Sequence, residues 1–320
     1  MSLLGVDIGG TKLALAIFNN EGRLLQKETA ALQNRKGAEV GDLINYQILK
    51  LMNKALSENE PVTSIGVSVP GIYRMRTGTV WAPNIAGWDD YPLLNQIKKI
   101  SGKIKVSIDS DRACYILGEV WKGNAQQYKD AIFLSVGTGI GAGIIVNGEV
   151  LRGSHDVAGS IGWMALNQPF REEYQKYGCF ESVASGDGIA RLAQRLLNEQ
   201  PEYKGELRNL PAEKITSHEI FHAFKQKDFL ANQIIEYCIR FWGMALANLV
   251  SLFNPEKIIV GGGIFGPALE FLPEIITEAA KWAQPISMRQ VRVEASALGG
   301  DAGIFGAGFL ALKNKDSIIQ

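Results

Sequence analysis

Two short segments combine glycine and threonine at the end of a predicted strand, a pattern suited to binding phosphate. The first spans residues 7–12 (D-I-G-G-T-K) and the second spans residues 137–141 (G-T-G-I-G). Glycine lets the backbone approach an anion closely and direct its N–H groups at phosphate oxygens. Alternatively, the glycines serve only the turn of a hairpin. The threonine hydroxyls and the aspartate at the end of the first strand favour phosphate binding.

Two further features extend this interpretation. Asp7 ends the first predicted strand and is expected to hold magnesium, through water, because Mg²⁺ prefers hard oxygen ligands and keeps much of its hydration. Three glycines, Gly261, Gly262 and Gly263, follow the apolar strand 258–260. They predict close approach of a flat or charged group, for which adenosine is the candidate, but a tight strand-to-helix turn explains them equally well.

A third polar group follows another predicted strand, at Asp109-Ser110-Asp111. Phosphoryl transfer needs a cradle for the polyphosphate, a metal ion and a residue that accepts the proton of the attacking hydroxyl. Asp111 is predicted to be that general base. A helix N-cap or a solvated turn residue is the alternative prediction for Asp109, and a cap is also the alternative for Asp111, because aspartate at a helix start is commonly a cap. The glycine turns favour the catalytic role for Asp111.

The elements that carry these residues repeat along the chain. Strands are predicted at 4–8 and 13–18, and a third strand begins at 23–25. A second strand, glycine turn, strand, Asn-Gly turn and strand follow over 131–151. Between them the periodicity predicts helices over 39–56, 91–100 and 112–121, alternating with strands at 64–69 and 105–108. A duplicated meander with one glycine turn in each half indicates an internal repeat of domain size.

Composition limits the class of protein. The chain has 320 residues, which suggests about two domains, and its 33 basic and 33 acidic residues leave no surplus that would favour nucleic acid. Three scattered cysteines are typical of free thiols in a reducing cytosol. No basic leader precedes an apolar core and no apolar run is long enough to span a membrane, so we expect a cytoplasmic protein without membrane partners.

The motifs together resemble the ROK family of sugar kinases and sugar-responsive repressors. The resemblance covers nearly the whole chain and rests on these segments in this order: Asp7 to Lys12, Val69-Pro70-Gly71, Pro83-Asn84, Asp111 with Leu117-Gly118-Glu119, Gly137 to Gly141, Ala158-Gly159, Gly178 to Glu181, and Gly261-Gly262-Gly263. Either glycine motif alone would be unspecific, whereas both together are characteristic.

The resemblance implies an α/β fold of the actin-like (ribonuclease H-like) duplicated ATPase type, with two domains and an interdomain cleft. We expect a smaller N-terminal domain over 1–120, completed by a closing helix over 302–320, and a larger C-terminal domain over 121–301. The family's general base falls on Asp111. The residues expected to bind ATP and magnesium are Asp7, Gly9, Gly10, Thr11, Lys12, Gly137, Thr138, Gly139, Gly141, Gly261, Gly262 and Gly263. A hexose or hexose derivative is the implied substrate, and a homodimer the implied assembly.

The sugar-binding side departs from the family pattern. The residues expected to contact the sugar are Gly71, Asn84, Ser110, Asp111, Ser160, Trp163 and Glu181. Ser160 and Trp163 stand where the family has Glu and His, and Ser110 stands where it has Asn. Trp163, Glu172 and Tyr174 replace a histidine and two cysteines of the family's zinc site, so we expect no structural zinc, with Trp163 and Phe180 supplying packing instead.

These departures leave the substrate open. Because Trp163 and Ser160 replace the family's sugar-contacting residues, we expect poor use of glucose and a preference for a sugar altered at carbon one or two. Alternatively, Trp163 only fills the volume of the lost zinc site and the substrate specificity stays broad. Two other functions compete with a sugar kinase. One is a non-enzymatic sugar sensor or repressor, which the neutral charge and the early position of Asp7 disfavour. The other is a degenerate kinase that binds only nucleotide, which Asp111 and the glycine turns disfavour.

Overall fold

The computed structural model describes residues 1–316, whose contacts divide the chain into two units. Unit 1 comprises Met1–Gln127, Val150–Ala158 and the described residues from Ser296 onward. Unit 2 comprises Tyr128–Glu149 and Gly159–Ala295. The predicted domain limits after residues 120 and 301 stay a prediction, since the contacts divide the chain at other residues and group 150–158 with unit 1.

Unit 1 opens with three antiparallel strands and continues with alternating helices and strands. Its elements are β1 (Ser2–Ile8), β2 (Lys12–Phe18), β3 (Leu24–Ala31), α1 (Ala38–Ser57), β4 (Val62–Val69), β5 (Ile72–Arg74), β6 (Thr79–Trp81), α2 (Leu93–Ser101), β7 (Lys105–Ser110) and α3 (Asp111–Lys122). The main sheet has the order β3-β2-β1-β4-β7, with β1, β4 and β7 parallel. The carboxyl ends of these parallel strands therefore bring Asp7, Gly71 and Asp111 to one edge of the sheet.

Unit 2 repeats this plan with more helices. Its elements are β8 (Ala131–Val136), β9 (Ile140–Val146), β10 (Glu149–Val150), α4 (Glu172–Tyr177), α5 (Glu181–Ala184), α6 (Gly186–Glu199), α7 (Ser217–Lys225), α8 (Phe229–Phe253), β11 (Lys257–Gly261), α9 (Leu272–Ala280), α10 (Pro285–Gln290) and β12 (Arg292–Ala295). The sheet order is β10-β9-β8-β11-β12, with β8, β11 and β12 parallel. Strand for strand this is the order of the first sheet, which confirms the predicted duplication.

The last helix, α11 (Ala302–Asp316), belongs to unit 1 and packs against α3. Glycines lie where the two helices cross. A Cβ on Gly306 would lie only 1.9 Å from the carbonyl oxygen of Cys114. A Cβ on Gly118 would lie 2.4 Å from the carbonyl oxygen of Ala302. Glycine thus allows the backbones to meet. The predicted helix over 302–320 extends to Asp316, and residues 317–320 lie outside the described residues.

Several elements were not predicted. Strand β3 starts within the predicted residues 23–25 and continues to Ala31, an end that the sequence pattern had left open. Helices α9 and α10 lie in a stretch to which the sequence pattern assigned nothing. Each has a proline in its first turn, where a missing N–H costs nothing. Among the described residues, none of the helices combines the length and the apolar character needed to cross a bilayer.

Candidate active site

Asp111 is the first residue of α3, immediately after β7. Ser110 caps this helix, since its hydroxyl accepts a hydrogen bond from the Ala113 N–H at 3.3 Å. The Asp111 carboxylate accepts the Arg112 N–H at 2.8 Å, and the Tyr115 hydroxyl lies 3.5 Å from its other oxygen. Burial raises the pKa of Asp111 to about 6 and the charge of Asp7 adds to the rise, while Arg112 opposes it. Asp111 is therefore ionised at neutral pH and can accept a proton.

Asp109 is neither a helix cap nor a solvated turn residue, so that prediction was wrong. Its side chain is buried and pairs with Arg152, whose Nε and Nη2 lie 3.0 and 2.5 Å from the same carboxylate oxygen. The other oxygen accepts the Ser110 N–H at 2.8 Å. Burial raises the pKa of Asp109 and Arg152 opposes this rise. This ion pair holds the segment 150–158 against Asp109, the residue before the helix cap Ser110.

The turn between β1 and β2 forms as predicted from its glycines. The Gly9 N–H donates to the carbonyl of Lys12 at 2.9 Å, and residues 10–12 are exposed. A Cβ on Gly10 would lie 3.2 Å from the Cβ of Asn84. The structure therefore brings together a residue expected to bind phosphate and one expected to bind sugar. Gly71 has a φ of 147°, and a Cβ there would lie 2.2 Å from the Trp81 carbonyl oxygen.

Asp7 lies beside the start of α11, which the sequence analysis did not foresee. A Cβ on Gly303 would lie 2.7 Å from an Asp7 carboxylate oxygen, so only glycine leaves room for this carboxylate. Burial raises the pKa of Asp7, Asp301 adds to the rise, and Ser68 and Lys12 oppose it. A partly buried carboxylate among other carboxylates is stabilised in its ionised form by a cation. Asp7 therefore fits the Mg²⁺ that the resemblance implies.

Three glycine segments meet in unit 2. The Gly186 N–H, at the start of α6, donates to the Gly137 carbonyl at 2.7 Å, and the Gly137 N–H donates to the Gly139 carbonyl at 2.9 Å. A Cβ on Gly137 would lie 3.9 Å from the backbone nitrogen of Gly263. These contacts show that three segments lie side by side: the turn after β8, the turn after β11 and the N-terminus of α6. Thr138 is exposed there, whereas Gly141 lies buried within β9 opposite Ser135.

Gly262 and Gly263 differ in their surroundings. Gly262 has a φ of 92°, and a Cβ there would lie 2.4 Å from the Val136 carbonyl oxygen. No atom lies within 4 Å of a Cβ built on Gly263, which leaves open space beside it. Both interpretations of this stretch, a tight turn and close approach of a ligand, are compatible with these contacts. Gly186 was missed, although Ser185 followed by Gly186 and Gly188 at a helix start was a readable signal.

Glu181 occupies the first turn of α5 and faces the glycine turn of unit 2. Its carboxylate accepts the Ile140 N–H at 2.7 Å. A Cβ on Gly139 would lie 3.0 Å from the same carboxylate, and one on Gly162 would lie 2.9 Å from it. Burial raises the pKa of Glu181, while the Ile140 N–H and the nearby Arg191 oppose this. Glu181 therefore joins the phosphate-type turn to the segment that carries Ser160 and Trp163.

The residues at the positions of the family's zinc ligands have new roles. Tyr174 is buried and its hydroxyl accepts from the Asn167 amide at 3.4 Å, whereas Glu172 is exposed. Phe180 is fully buried, but 54% of Trp163 is exposed, so the prediction that Trp163 supplies packing was wrong. Within residues 1–316 the structure holds no group of three or more His, Cys, Asp or Glu side chains arranged for a metal ion. The absence of zinc itself stays a prediction.

Comparison with known proteins assigns the family. A family model described as ROK family matches residues 3–314. A glucokinase of Halalkalibacterium halodurans is 32% identical over 98% of this chain and 96% of its own length. A β-glucoside kinase of Listeria monocytogenes is 30% identical over 99% of both chains.

A solved structure agrees in fold. The ROK family glucokinase of Streptomyces griseus, determined in complex with glucose and AMPPNP, superposes with a TM-score of 0.72 and 30% identity. The match covers 98% of this chain and 100% of that one. The duplicated sheets are those of an actin-like α/β fold. The chain belongs to the ROK family.

Proposed function

We propose that this chain, a carbohydrate kinase by its relatives, transfers the terminal phosphoryl group of ATP to a hydroxyl of a hexose or hexose derivative. The observation that carries the proposal is the position of Asp111. It begins a capped helix at the edge of the sheet where Asp7 and the Gly9–Thr11 turn also lie, and it is ionised at neutral pH. A general base must lie within reach of both the sugar hydroxyl and the phosphate. At this edge of the sheet, Asp111 lies near the turn that is proposed to bind phosphate.

In this proposal Asp111 orients the sugar hydroxyl and accepts its proton as the bond to phosphorus forms. With a pKa of about 6 it is a stronger base than an exposed aspartate, yet it remains charged at the working pH. The N–H groups of Gly10 and Thr11, which are exposed in the turn, stabilise the negative charge on the phosphoryl oxygens. Asp7 would hold Mg²⁺, directly or through water, and the ion would neutralise charge on the polyphosphate.

The nucleotide is proposed to use the glycine segments of both units. In unit 2, the open space beside Gly263 and the exposed turn at Thr138 supply backbone N–H groups and room for a flat ring. The N-terminus of α6 next to Gly137 adds a positive helix end, which favours an anion. Lys12, exposed at the start of β2, adds a positive charge in unit 1.

The sugar is proposed to contact Gly71, Asn84, Ser110 and Asp111 in unit 1 and Ser160, Trp163 and Glu181 in unit 2. Because Trp163 is more than half exposed, it is available to stack on a ring and does not fill a core. This favours a sugar altered at carbon one or two over plain glucose. A homodimer is proposed from the resemblance alone, and sedimentation equilibrium would measure it.

An ATP-consumption screen over hexoses, amino sugars, their N-acetyl forms and glycosides tests the proposal. We expect sugar-dependent release of ADP that requires added Mg²⁺, with glucose not the best substrate. The product of the best substrate should carry one phosphate by mass spectrometry. Absence of turnover with every sugar, together with intact ATP binding, would identify a nucleotide-binding protein without kinase activity instead.

A further inference from the structure

A pocket of about 420 Å³ lies in unit 2, on the segment between Trp163 and Cys179. Its floor is formed by Tyr174 and Cys179, which are 6% and 5% exposed. Its walls include Trp163 and Phe170, which are 54% and 70% exposed. The rings of Phe170 and Tyr174 meet edge to face, with their centroids 6.1 Å apart. The pocket therefore has a packed floor and two large aromatic faces open to solvent.

The side chains around the pocket select for an uncharged, flat occupant. None of the residues that line it carries a formal charge; its polar side chains include the amides of Asn167 and Gln168. The Asn167 amide donates to the Tyr174 hydroxyl at 3.4 Å and so helps to shape one side. Aromatic faces bind flat apolar rings, and the amides supply donors and acceptors at the edge. The volume is large enough for a substituent with one or two rings and too small for a folded partner.

The pocket shares Trp163 with the residues proposed to contact the sugar. Trp163 directly follows Gly162, and a Cβ on Gly162 would lie 2.9 Å from the Cβ of Glu181. A Cβ on Gly178 would lie 2.9 Å from the Cα of Trp163. Glycine at both positions lets the pocket wall and the proposed sugar-anchoring carboxylate approach closely. Because Trp163 is also a pocket wall, a substituent on a sugar that contacts Trp163 would lie at the pocket.

We propose that this pocket binds a planar, uncharged substituent of the sugar, such as an aryl group. The inference rests on the proposed function and specifies its substrate class. The substituent is recognised through contact with Trp163 and Phe170 and is not altered by the reaction. Its point of attachment is decided by experiment, with aryl glycosides and N-aroyl amino sugars as the two sources.

The test compares sugars that differ only in the ring. Steady-state kinetics are measured with methyl and phenyl β-glucosides, and with N-acetyl- and N-benzoylglucosamine. We expect kcat/KM to be about tenfold higher for the aryl member of one pair, from stacking and burial of the ring. The gain should fall mainly in KM, because the ring binds equally in the ground state and in the transition state.

Two variants connect the gain to the pocket. Phe170→Ala removes one wall and should bring the aryl-to-alkyl ratio close to one. Phe229→Ala, at a phenylalanine that is 63% exposed and does not line the pocket, is the matched control and should keep the wild-type ratio. Sedimentation equilibrium measures the oligomeric state of the wild type and of both variants.

Three results would overturn the inference. One is a wild-type ratio near one in both pairs while alkyl sugars are phosphorylated, which leaves the proposed function intact. Another is a ratio in Phe170→Ala equal to that of wild type. The third is a fall of the ratio in Phe170→Ala that is accompanied by a change of oligomeric state, which would make the pocket a contact between copies. Failure to phosphorylate any sugar would instead count against the proposed function.

Discussion

Asp111 combines two properties that oppose each other. A carboxylate in a partly buried position costs free energy when it is ionised, yet the proposed role as general base needs the ionised form. The rise of its pKa to about 6 reflects the first property, and the hydrogen bond from the Arg112 N–H preserves the second. Such tension between stability and activity is common at catalytic groups.

We predict that Asp111→Asn lowers kcat by about 10²–10⁴-fold, the usual contribution of a general base. The amide has the same shape and can still accept the Arg112 N–H, so ATP binding should persist. Kinetics on a sugar that the wild type uses, with ATP affinity by calorimetry, measure both effects. Turnover within a few fold of wild type would rule out Asp111 as the base.

The same variant should be more stable than the wild type, in a pH-dependent way. Because the pKa of Asp111 in the folded state, about 6, is above its ordinary value of 3.8, the stability linked to this group is complete below pH 3.8 and is lost as the pH rises through 6. Asp111→Asn without ligands should therefore gain about 3 kcal/mol at pH 7.5 and about half of that at pH 5. Urea unfolding measures this, with Asp89→Asn as an exposed control; an equal gain at both pH values would contradict the assignment.

At the scale of elements, the Arg152–Asp109 pair holds the segment 150–158 against the end of β7. Arg152→Ala leaves a buried carboxylate without its partner, which should cost about 3–5 kcal/mol of unfolding free energy. Because Asp109 also accepts the Ser110 N–H, we expect kcat to fall as well. The double variant Arg152→Ala/Asp109→Asn should recover most of the stability, since no buried charge remains. Denaturation and kinetics of both variants provide the measurement.

Arg74→Ala is the matched control for that prediction. Arg74 and Asp90 form an ion pair whose side chains are 41% and 67% exposed, so its loss should cost at most about 1 kcal/mol. If Arg152→Ala and Arg74→Ala lowered the unfolding free energy equally, the buried pair of Arg152 with Asp109 would stabilise the protein no more than an exposed ion pair does.

The turn after β11 permits a test of the nucleotide site. Gly263→Ala meets no neighbouring atom, so the fold should tolerate it, but its methyl group would enter the space proposed for the nucleotide. We expect an unchanged melting temperature and a KM for ATP raised several-fold. Gly262→Ala, with a positive φ and a clash with Val136, should instead destabilise the protein by about 1–3 kcal/mol. An unchanged KM for ATP in Gly263→Ala would place the nucleotide elsewhere.

For the whole molecule, we predict that the protein carries no structural zinc. A structural site needs four ligands, and Trp163, Glu172 and Tyr174 take the places of three of them. Elemental analysis of protein purified without added metals should find far less than one zinc per chain. Chelator treatment should leave the melting temperature unchanged, while kinase activity should return on addition of Mg²⁺ alone. One tightly bound zinc per chain would refute this.

Local sequence signals predicted much of the fold and part of the site. The glycine turns depend on the conformational freedom of the backbone. The strands and helices of the repeated meander depend on apolar residues recurring every two or 3.6 positions. Both signals are set by residues that are close in sequence. The duplication and the position of Asp109-Ser110-Asp111 between a strand and a helix follow from such signals, whereas the strand order and the Ser110 cap were not predicted. Helices α9 and α10 were not predicted, although a proline in the first turn of each is a signal for a helix start.

Only the tertiary structure decided which distant residues meet. The partner of Asp109 is Arg152, 43 positions further along the chain, and the neighbour of Asp7 is Gly303 near the C-terminus. Whether Trp163 is buried or exposed depends on what packs around it, and no local pattern records that. Local propensity determines where a strand ends and a helix starts, whereas burial and charge pairing depend on contacts that form only when the whole chain folds.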